Sequence, residues 1–468
     1  MNIEQIYTGC LAQGAYYIES NGEVAIIDPL RETQPYINRA NIDGAKIKYI
    51  FETHFHADFV SGHVTLAKQT GAEIVFGPNA DTSYKATIAK DNQEFKLGNI
   101  IIKVLHTPGH TMESTTYLLI NEKGENHAIF SGDTLFIGDV GRPDLAQKNG
   151  SITENDLAGY LYDSLRTKIM TLQDDVIVYP AHGAGSACGK NMSKETTGTI
   201  GDQKKTNYAL RADMSKAEFV NEVTEGLLPP PGYFPQNVQM NKEGYDDLNT
   251  IIKRGAKGFT PDEFELKANE SGAIILDVRN QNDFVLGHIP RSIFIGIDGG
   301  FAPWVGALIA DVKQPILLVA PEGREEEVIT RLSRVGFDNT LGYLKGSYLA
   351  WEKSGKDTDT VRSITAEDFA LEMGNKKVFD VRNIGEYQST HVTNAIHTPL
   401  SKINDYLENY KTEKTSYIHC AGGYRSVIAA SILKSRGIHN FTDVKGGFGA
   451  IKKTNISISE YVCPSTLQ

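Results

Sequence analysis

The sequence predicts a multidomain α/β chain, and three observations carry that prediction. The 468 residues exceed what one hydrophobic core organises and divide by ordinary domain size into about three. Residues 1 to about 240 alternate short apolar runs with turns and a few helical stretches. Beyond them, one segment of about 100 residues occurs twice.

Composition narrows the class. Hydrophobic content is 40% and charged content 22%, both ordinary for a globular chain. The net charge of −11 comes without a basic cluster, which argues against nucleic acid as a partner, because phosphate binding needs concentrated Lys and Arg. No apolar run approaches the roughly 20 residues of a membrane helix. The N-terminus lacks the basic start and apolar core of a signal peptide. The four cysteines are far apart and form no CxxC pair, as expected for reduced thiols in a cytoplasmic chain rather than a disulfide framework.

Strands are expected at 24–27, 47–51, 74–76, 100–105, 128–130 and 176–179. Helices are expected at 62–70 and 154–172, the second capped by Thr153 or Asn155. Polar residues gather where these strands end. The run 51–63, FETHFHADFVSGH, carries His54, His56, Asp58 and His63. Alternation along an extended chain points His54, His56 and Asp58 the same way. After 100–105 comes HTPGHT, where Pro108 and Gly109 force a turn that re-aims His110. After 128–130 comes SGDTLF with Asp133, and after 176–179 comes PAHGAGSACG with His182 and Cys188. One His or Asp in a turn is ordinarily structural. Four such steps at strand exits of one domain suit a first-row divalent metal. Cys188, six residues past His182, reads either as a thiol near that metal or as a small buried residue.

Residues 227–257 read as a connector. Pro229, Pro230, Pro231 and Pro235 disfavour helix and leave an extended path. Tyr233 and Phe234 lie within it, either anchoring the connector or covering the metal pocket.

The repeat follows. LDVRNQNDFVLGHI matches FDVRNIGEYQSTHV, setting Asp277 against Asp380 and His288 against His391 at an offset of 103. YLKGSYLAW matches DVKGGFGAI at an offset of 100. Apolar strands alternating with helical stretches predict a parallel sheet with helices on both faces in each copy. In the second copy, Cys420 follows a strand and precedes a helix beginning near Val427. The loop Ala421, Gly422, Gly423, Tyr424, Arg425, Ser426 is small and glycine-rich, so its amides can ring an anionic sulfur. Together with the helix N-terminus and Arg425, they favour a nucleophilic thiolate. In the first copy Ala320 stands at that place, and Glu325, Glu326 and Glu327 open the helix. That copy is expected to be catalytically silent.

Taken together, HxHxD, TPGHT, GDTLF and PAHG resemble the metallo-β-lactamase superfamily over residues 1 to about 245. The resemblance implies an αββα sandwich with the metal at one edge. The superfamily pattern continues HxHxDH, the last His helping to hold a second ion. Here that position is Phe59, which cannot coordinate, so a mononuclear site is expected. FIGDVGRPDL at 136–145 resembles the persulfide dioxygenase branch. That implies one Fe(II) per chain on His54, His110 and Asp133, with His56, Asp58 and His182 orienting ligands and waters around it. Arg142 either pairs with Asp144 or recruits an anionic substrate. Both repeat copies resemble the rhodanese fold.

The architecture thus resembles persulfide dioxygenase–rhodanese fusions, with expected domains at 1–245, 256–358 (silent) and 360–465 (active). The implied partners are a small-molecule persulfide, O2 and sulfite. The implied outcome is oxidation to sulfite and sulfur transfer giving thiosulfate, a route of sulfide detoxification. A glyoxalase II-like thioester hydrolase and a non-catalytic sulfur carrier are the alternatives. Exposed sheet edges leave self-association to form a homo-oligomer open.

Overall fold

A computed structural model describes residues 1–146, 151–227 and 229–463. Leu228 in the expected connector, and the expected end of the third domain at 465, lie outside the described residues. The chain divides into two compact units. The first takes Met1–Leu248 with Ser333–Gly336, and the second takes the remainder from Asn249 onward.

The first unit holds two six-stranded sheets. One runs in chain order through β1 (Asn2–Thr8), β2 (Gln13–Ser20), β3 (Glu23–Ile27), β4 (Lys46–Glu52), β5 (Glu73–Phe76) and β6 (Thr87–Ile88). The other contains β7 (Glu94–Leu97), β8 (Ile100–His106), β9 (Thr115–Ile120), β10 (Asn126–Gly132), β11 (Ile177–Pro180) and β12 (Gly198–Thr199), again with chain neighbours side by side. The inner faces meet in one core, where Tyr16, Ile18, Ile27, Phe51 and Val75 of the first sheet pack on Ile102, Val104, Tyr117, Leu119 and Phe130 of the second. Both sheets also have apolar outer faces. Tyr17, Ile26 and Ile50 pack under Tyr36, Ala40 and Leu66 of the helices Gln34–Ile42 and His63–Thr70. Leu118, Ile129 and Val178 pack under Leu157, Leu161 and Phe219 of Glu154–Ser164 and Lys216–Thr224. Helix, sheet, sheet and helix therefore form the four layers of an αββα sandwich.

Local structure departs from expectation at two places, the end of one helix and the connector. Thr153, one of the two expected caps, closes its helix through a capping box with Asp156, but the helix ends at Ser164 and continues as a π-helical turn, Leu165–Ile169. The connector is not extended: it contains the helices Phe234–Glu243 and Leu248–Gly255. Pro235 sits in the first helical turn, where no backbone N–H is required of it.

The second unit holds the two repeats. In the first, β13 (Gly258–Phe259), β14 (Ile274–Asp277), β15 (Ile293–Phe294), β16 (Ile316–Val319) and β17 (Thr340–Leu344) form an all-parallel sheet in the order β13-β17-β16-β14-β15. In the second, β18 (Ser363–Ile364), β19 (Val378–Asp380), β20 (Ile396–His397), β21 (Ser416–His419) and β22 (Phe441–Val444) repeat it as β18-β22-β21-β19-β20. The nearly continuous apolar strand Ile316–Val319 is fully buried, as a parallel sheet covered on both faces requires.

Candidate metal centre and cysteine loop

In the first unit, four strand exits converge on one buried pocket. The turn after β4 supplies His54, His56 and Asp58, the turn after β8 His110, the turn after β10 Asp133, and the turn after β11 His182. All six are buried. Residues 53–59 are irregular rather than extended, so the loop, not strand alternation, brings the first three together. Two glycines make the approach possible. Gly109 has φ +149°, and a Cβ there would lie 2.4 Å from Leu161; Gly132 has φ +54°, and a Cβ would meet Thr53 at 2.7 Å.

The donors form adjoining groups. His54 Nε2 and His110 Nε2 lie 3.8 and 3.4 Å from Asp133 Oδ2. His182 Nε2 lies 3.4 Å from Asp58 Oδ2 and 3.6 Å from Asp133 Oδ1. Each of these imidazoles is held through its other nitrogen: His54 Nδ1 by Thr53 Oγ1 at 3.0 Å, His110 Nδ1 by the Arg142 carbonyl at 2.8 Å, and His182 Nδ1 by the Ala12 carbonyl at 3.3 Å. That leaves every Nε2 aimed inward, the arrangement that fixes histidine as a metal ligand. Among the described residues, His54 Nε2, His182 Nε2 and both Asp133 oxygens are buried with no hydrogen-bond partner. Such orphaned groups cost roughly 1–3 kcal/mol each. An ion at their centre removes that cost, so the donor set fits a divalent cation. Burial, and the imidazoles of His56, His110 and His182, hold His54 well below the usual histidine range, in the neutral form a ligand needs.

His56 faces both ways. It can join Asp58 and His182, or Asp28 and Glu52. Its Nε2 lies 3.1 Å from Asp28 Oδ1 and 3.6 Å from Glu52 Oε2. Burial alone would lower its pKa, but the carboxylates of Asp28, Glu52 and Asp58 lift it to about 9. Phe59 is buried against it.

Arg142 directs its guanidinium to Asp144 in a bidentate pair at 2.6 and 2.7 Å and to the Ala187 carbonyl at 3.1 Å. The geometry is that of the structural ion pair rather than of a group presented to substrate. Cys188 is not merely a small buried residue: its sulfur belongs to one donor group with Asp133 and His182. Burial and the carboxylates of Asp58 and Asp133 push this thiol well above its ordinary pKa.

Sequence reading missed Asp28 and Asn241. Asp28 accepts from Thr53 N and Thr53 Oγ1, both at 2.8 Å, and so fixes the residue before His54. The strand-exit pattern AIIDP could have exposed it. Asn241 donates to the His56 and Phe59 carbonyls at 2.8 and 2.9 Å and accepts from Ser61 N at 2.9 Å, pinning the loop. It comes from the helix expected to be extended connector, and nothing in the sequence marks it. Tyr233, at the cap of that helix, is buried near Asp58 and Cys188, both of which add to the rise that burial gives its pKa.

In the second repeat, Cys420 follows β21, and the helix Tyr424–Ser435 begins three residues before the expected Val427. Gly423, at φ +100°, turns its N–H onto Cys420 Sγ at 3.1 Å. Ser426 Oγ lies 3.6 Å from the same sulfur. The loop is clamped from β22's exit: Phe448 N donates to the Cys420 carbonyl at 2.6 Å and Gly449 N to the Ala421 carbonyl at 2.9 Å. Arg425 pairs with Glu386 at 2.6 and 2.8 Å, so its field at the sulfur is partly compensated. Tyr424 leaves the loop and donates to the Gly296 carbonyl of the first repeat at 2.8 Å. In that repeat, the chain leaving β16 presents only the buried methyl of Ala320. Among the described residues, no disulfide joins the four cysteines and no helix is long and apolar enough to cross a membrane.

Comparisons with known proteins agree with this architecture. A metallo-beta-lactamase superfamily model matches residues 8–182, and a rhodanese-like domain model matches 260–354 and again 365–454. A solved metallo-beta-lactamase from Staphylococcus aureus is 31% identical, with a TM-score of 0.64, over 74% of this chain and 98% of that one. A cytoplasmic hydroxyacylglutathione hydrolase of Arabidopsis thaliana is 36% identical over 138 residues, 28% of this chain; this chain spans only 53% of that relative's length. The mitochondrial persulfide dioxygenase ETHE1 of Homo sapiens is 28% identical over 215 residues, 45% of this chain and 74% of the relative.

Proposed function

Because this chain belongs to the metallo-beta-lactamase superfamily and carries two rhodanese-like domains after that fold, we propose that it is an iron-dependent persulfide dioxygenase coupled to a sulfurtransferase. The observation that carries the reading is the pair of sites in one chain: a buried His54–His110–Asp133 triad, and a cysteine seated under a backbone amide. The balanced oxidation is RSSH + O2 + H2O → RSH + SO3²⁻ + 2H⁺. Iron(II) on two histidines and one carboxylate would supply the one-electron chemistry by which ground-state O2 reacts with a persulfide sulfur.

The chain's own residues prepare that step. Thr53 and the Arg142 and Ala12 carbonyls fix the imidazoles, while buried Phe59 and Tyr233 help exclude bulk water. In the second repeat, Cys420 thiolate takes the outer sulfur of RSSH and releases RS⁻. Sulfite then attacks the Cys420 persulfide, forming thiosulfate and restoring the thiol. The carrier is a low-molecular-weight thiol such as glutathione or coenzyme A, and the reducing cytoplasm suits three buried or half-buried thiols. The human relative's name supports this reading.

A thioester hydrolase is the second reading. It is favoured by the Arabidopsis relative and by the second donor group, His56, Asp58 and His182. An oxygen electrode separates the two. Iron-loaded, anaerobically purified protein is expected to consume one O2 per glutathione persulfide and to leave S-lactoylglutathione intact. Thioester cleavage without oxygen uptake would overturn the dioxygenase reading.

A further inference from the structure

The helix Tyr424–Ser435, which the cysteine loop enters, is bound along one face to the first repeat. Tyr424 and Ser431 are seven residues apart, two turns of helix, and so share that face. Tyr424 Oη donates to the Gly296 carbonyl at 2.8 Å, and Phe294 N of β15 donates to Ser431 Oγ at 2.9 Å. Ser431 is fully buried. The Tyr424 ring meets that of Phe294 edge-on, with centroids 5.9 Å apart. Further along the helix, Lys434 pairs with Asp359 at 3.0 Å. The backbone of Asp359 in turn exchanges two hydrogen bonds with that of His288 in the first repeat, each 2.9 Å.

The approach at Tyr424 is closer than a side chain on the facing residue would permit. A Cβ on Gly299 would lie 2.3 Å from the Tyr424 ring. Gly299 has no left-handed backbone to require glycine, so its missing side chain answers to the ring. The segment that receives the ring is also held from its own repeat. At the repeat offset of 100, Arg324 and Arg331 stand for Tyr424 and Ser431. Arg324 Nη1 donates to Asp298 Oδ1 and Arg331 Nη1 to the Ile297 carbonyl, both at 2.8 Å. The same two positions in each repeat thus grip one segment, 294–299.

We propose that segment 294–299 of the first repeat positions the sulfur-binding loop of the second, with Tyr424 as the positioning residue between them. The inference rests on the reading of Cys420 as the sulfur-accepting nucleophile. Tyr424 directly follows Gly423, whose N–H meets Cys420 Sγ at 3.1 Å. Holding the Tyr424 side chain therefore holds the peptide unit that joins it to Gly423 and the start of the helix. The bond at Ser431, two turns on, keeps the helix from turning about its axis. Tyr424 makes and breaks no bond in the transfer. It sets where the amide and the helix N-terminus stand when sulfur arrives, and the repeat without a nucleophile contributes to transfer by geometry.

The test uses full-length Gly299→Ala, Tyr424→Phe, Tyr424→Ala, the double variant Gly299→Ala/Tyr424→Ala, and Cys420→Ser. Each protein is treated anaerobically with excess glutathione persulfide, so that no O2 consumes the donor. The sulfur held on Cys420 is counted per chain by peptide mass spectrometry, and the rate of its transfer to sulfite is expressed per loaded cysteine. A substitution that only destabilises the fold lowers the count and leaves the rate per loaded site at the wild-type value. Gly299→Ala is expected to load one sulfur per chain and to transfer it about 10- to 100-fold more slowly, the scale of a misplacement of about 1 Å. Tyr424→Phe, which keeps the ring and loses one hydrogen bond, is expected to lose about 2- to 10-fold. Because Gly299 acts through the ring, Gly299→Ala is expected to cost nothing further in the Tyr424→Ala background.

A wild-type rate per loaded site in Gly299→Ala, or the same loss from Gly299→Ala with and without the ring, overturns the proposal. Should Gly299→Ala not fold, Tyr424→Phe decides: a loss of the stated size supports the proposal and a wild-type rate overturns it. A wild-type chain that takes no sulfur on Cys420, or a Cys420→Ser chain that still transfers it, overturns the proposed function instead. The loading count tells the two failures apart.

Discussion

The ring of Phe59 lies over that of His56, with centroids 4.3 Å apart and planes 33° from parallel. Phe59 thus takes the place where the superfamily pattern has a further ligand and fills it with hydrocarbon. Phe59→His is expected to raise the metal content of the purified protein from about one toward two ions per chain, since Asp58 and His182 already stand ready. Oxygen uptake is expected to fall in the same variant, because positions open to O2 become occupied. Elemental analysis beside an oxygen electrode checks both. A metal content that stays at one would mean that something other than Phe59 excludes the second ion.

Asp28 acts on the centre without reaching it. It accepts two bonds from Thr53, whose hydroxyl holds His54 Nδ1, and it pairs with His56. Groups that orient ligands in this way typically contribute about 10- to 100-fold in metal affinity. Asp28→Asn is expected to weaken iron binding by that factor with little change in the secondary structure seen by circular dichroism. Competition with a metallochromic chelator measures it. Unchanged affinity would show that the Thr53 turn holds His54 unaided.

Much of this was readable beforehand, for a physical reason. His54, His110, Asp133 and His182 leave strands whose apolar runs are unmistakable, so both the strands and their polar exits show in sequence. Cys420 and the glycines after it announce themselves the same way. What escaped reading lies where periodicity is weak or misleading. Strand β2, with a glycine second in its run, and β1, half exposed, gave no apolar block. The prolines of 229–235 suggest extended chain, yet Pro235 opens a helix, and Asn241 comes with it. Asp443 looks like one polar residue in a strand; only the register with Ser363 and that hydroxyl's bond reveal its company.

Gly447 has φ +55°, and a Cβ there would lie 2.4 Å from the Cys420 carbonyl oxygen. Gly447→Ala must therefore both strain its own backbone and push the cysteine loop away. A loss of about 1–3 kcal/mol in stability is expected, with sulfur transfer falling further than the unfolded fraction explains. The first repeat supplies the control. Ser347, at the matching position, has φ +53° despite its side chain. Ser347→Gly is expected to stabilise by about 1 kcal/mol, leaving transfer unchanged. Thermal unfolding and thiosulfate assays read both variants; transfer intact in a folded Gly447→Ala would separate the loop from its clamp.

Asp443 also sets a pH dependence of stability with a definite sign. Burial raises its pKa from 3.8 to about 6, against the opposing hydroxyls of Ser426 and Ser363. The folded value lies above the unfolded one, so between these values the native state holds a proton that the unfolded chain has lost. The stabilising contribution is complete below about pH 4 and disappears as pH rises through about 6. A difference of about two units corresponds to about 3 kcal/mol. Asp443→Asn removes that loss, so above pH 6 the variant is expected to be the more stable protein locally, by about 1–3 kcal/mol once its weaker bond from Ser363 is allowed for. Hydrogen exchange of the β21 and β22 amides at about pH 5 and 8, corrected for intrinsic rates, measures this without requiring the whole chain to unfold in one step. Equal protection in variant and wild type at both pH values would show the carboxyl to be hydrated rather than buried.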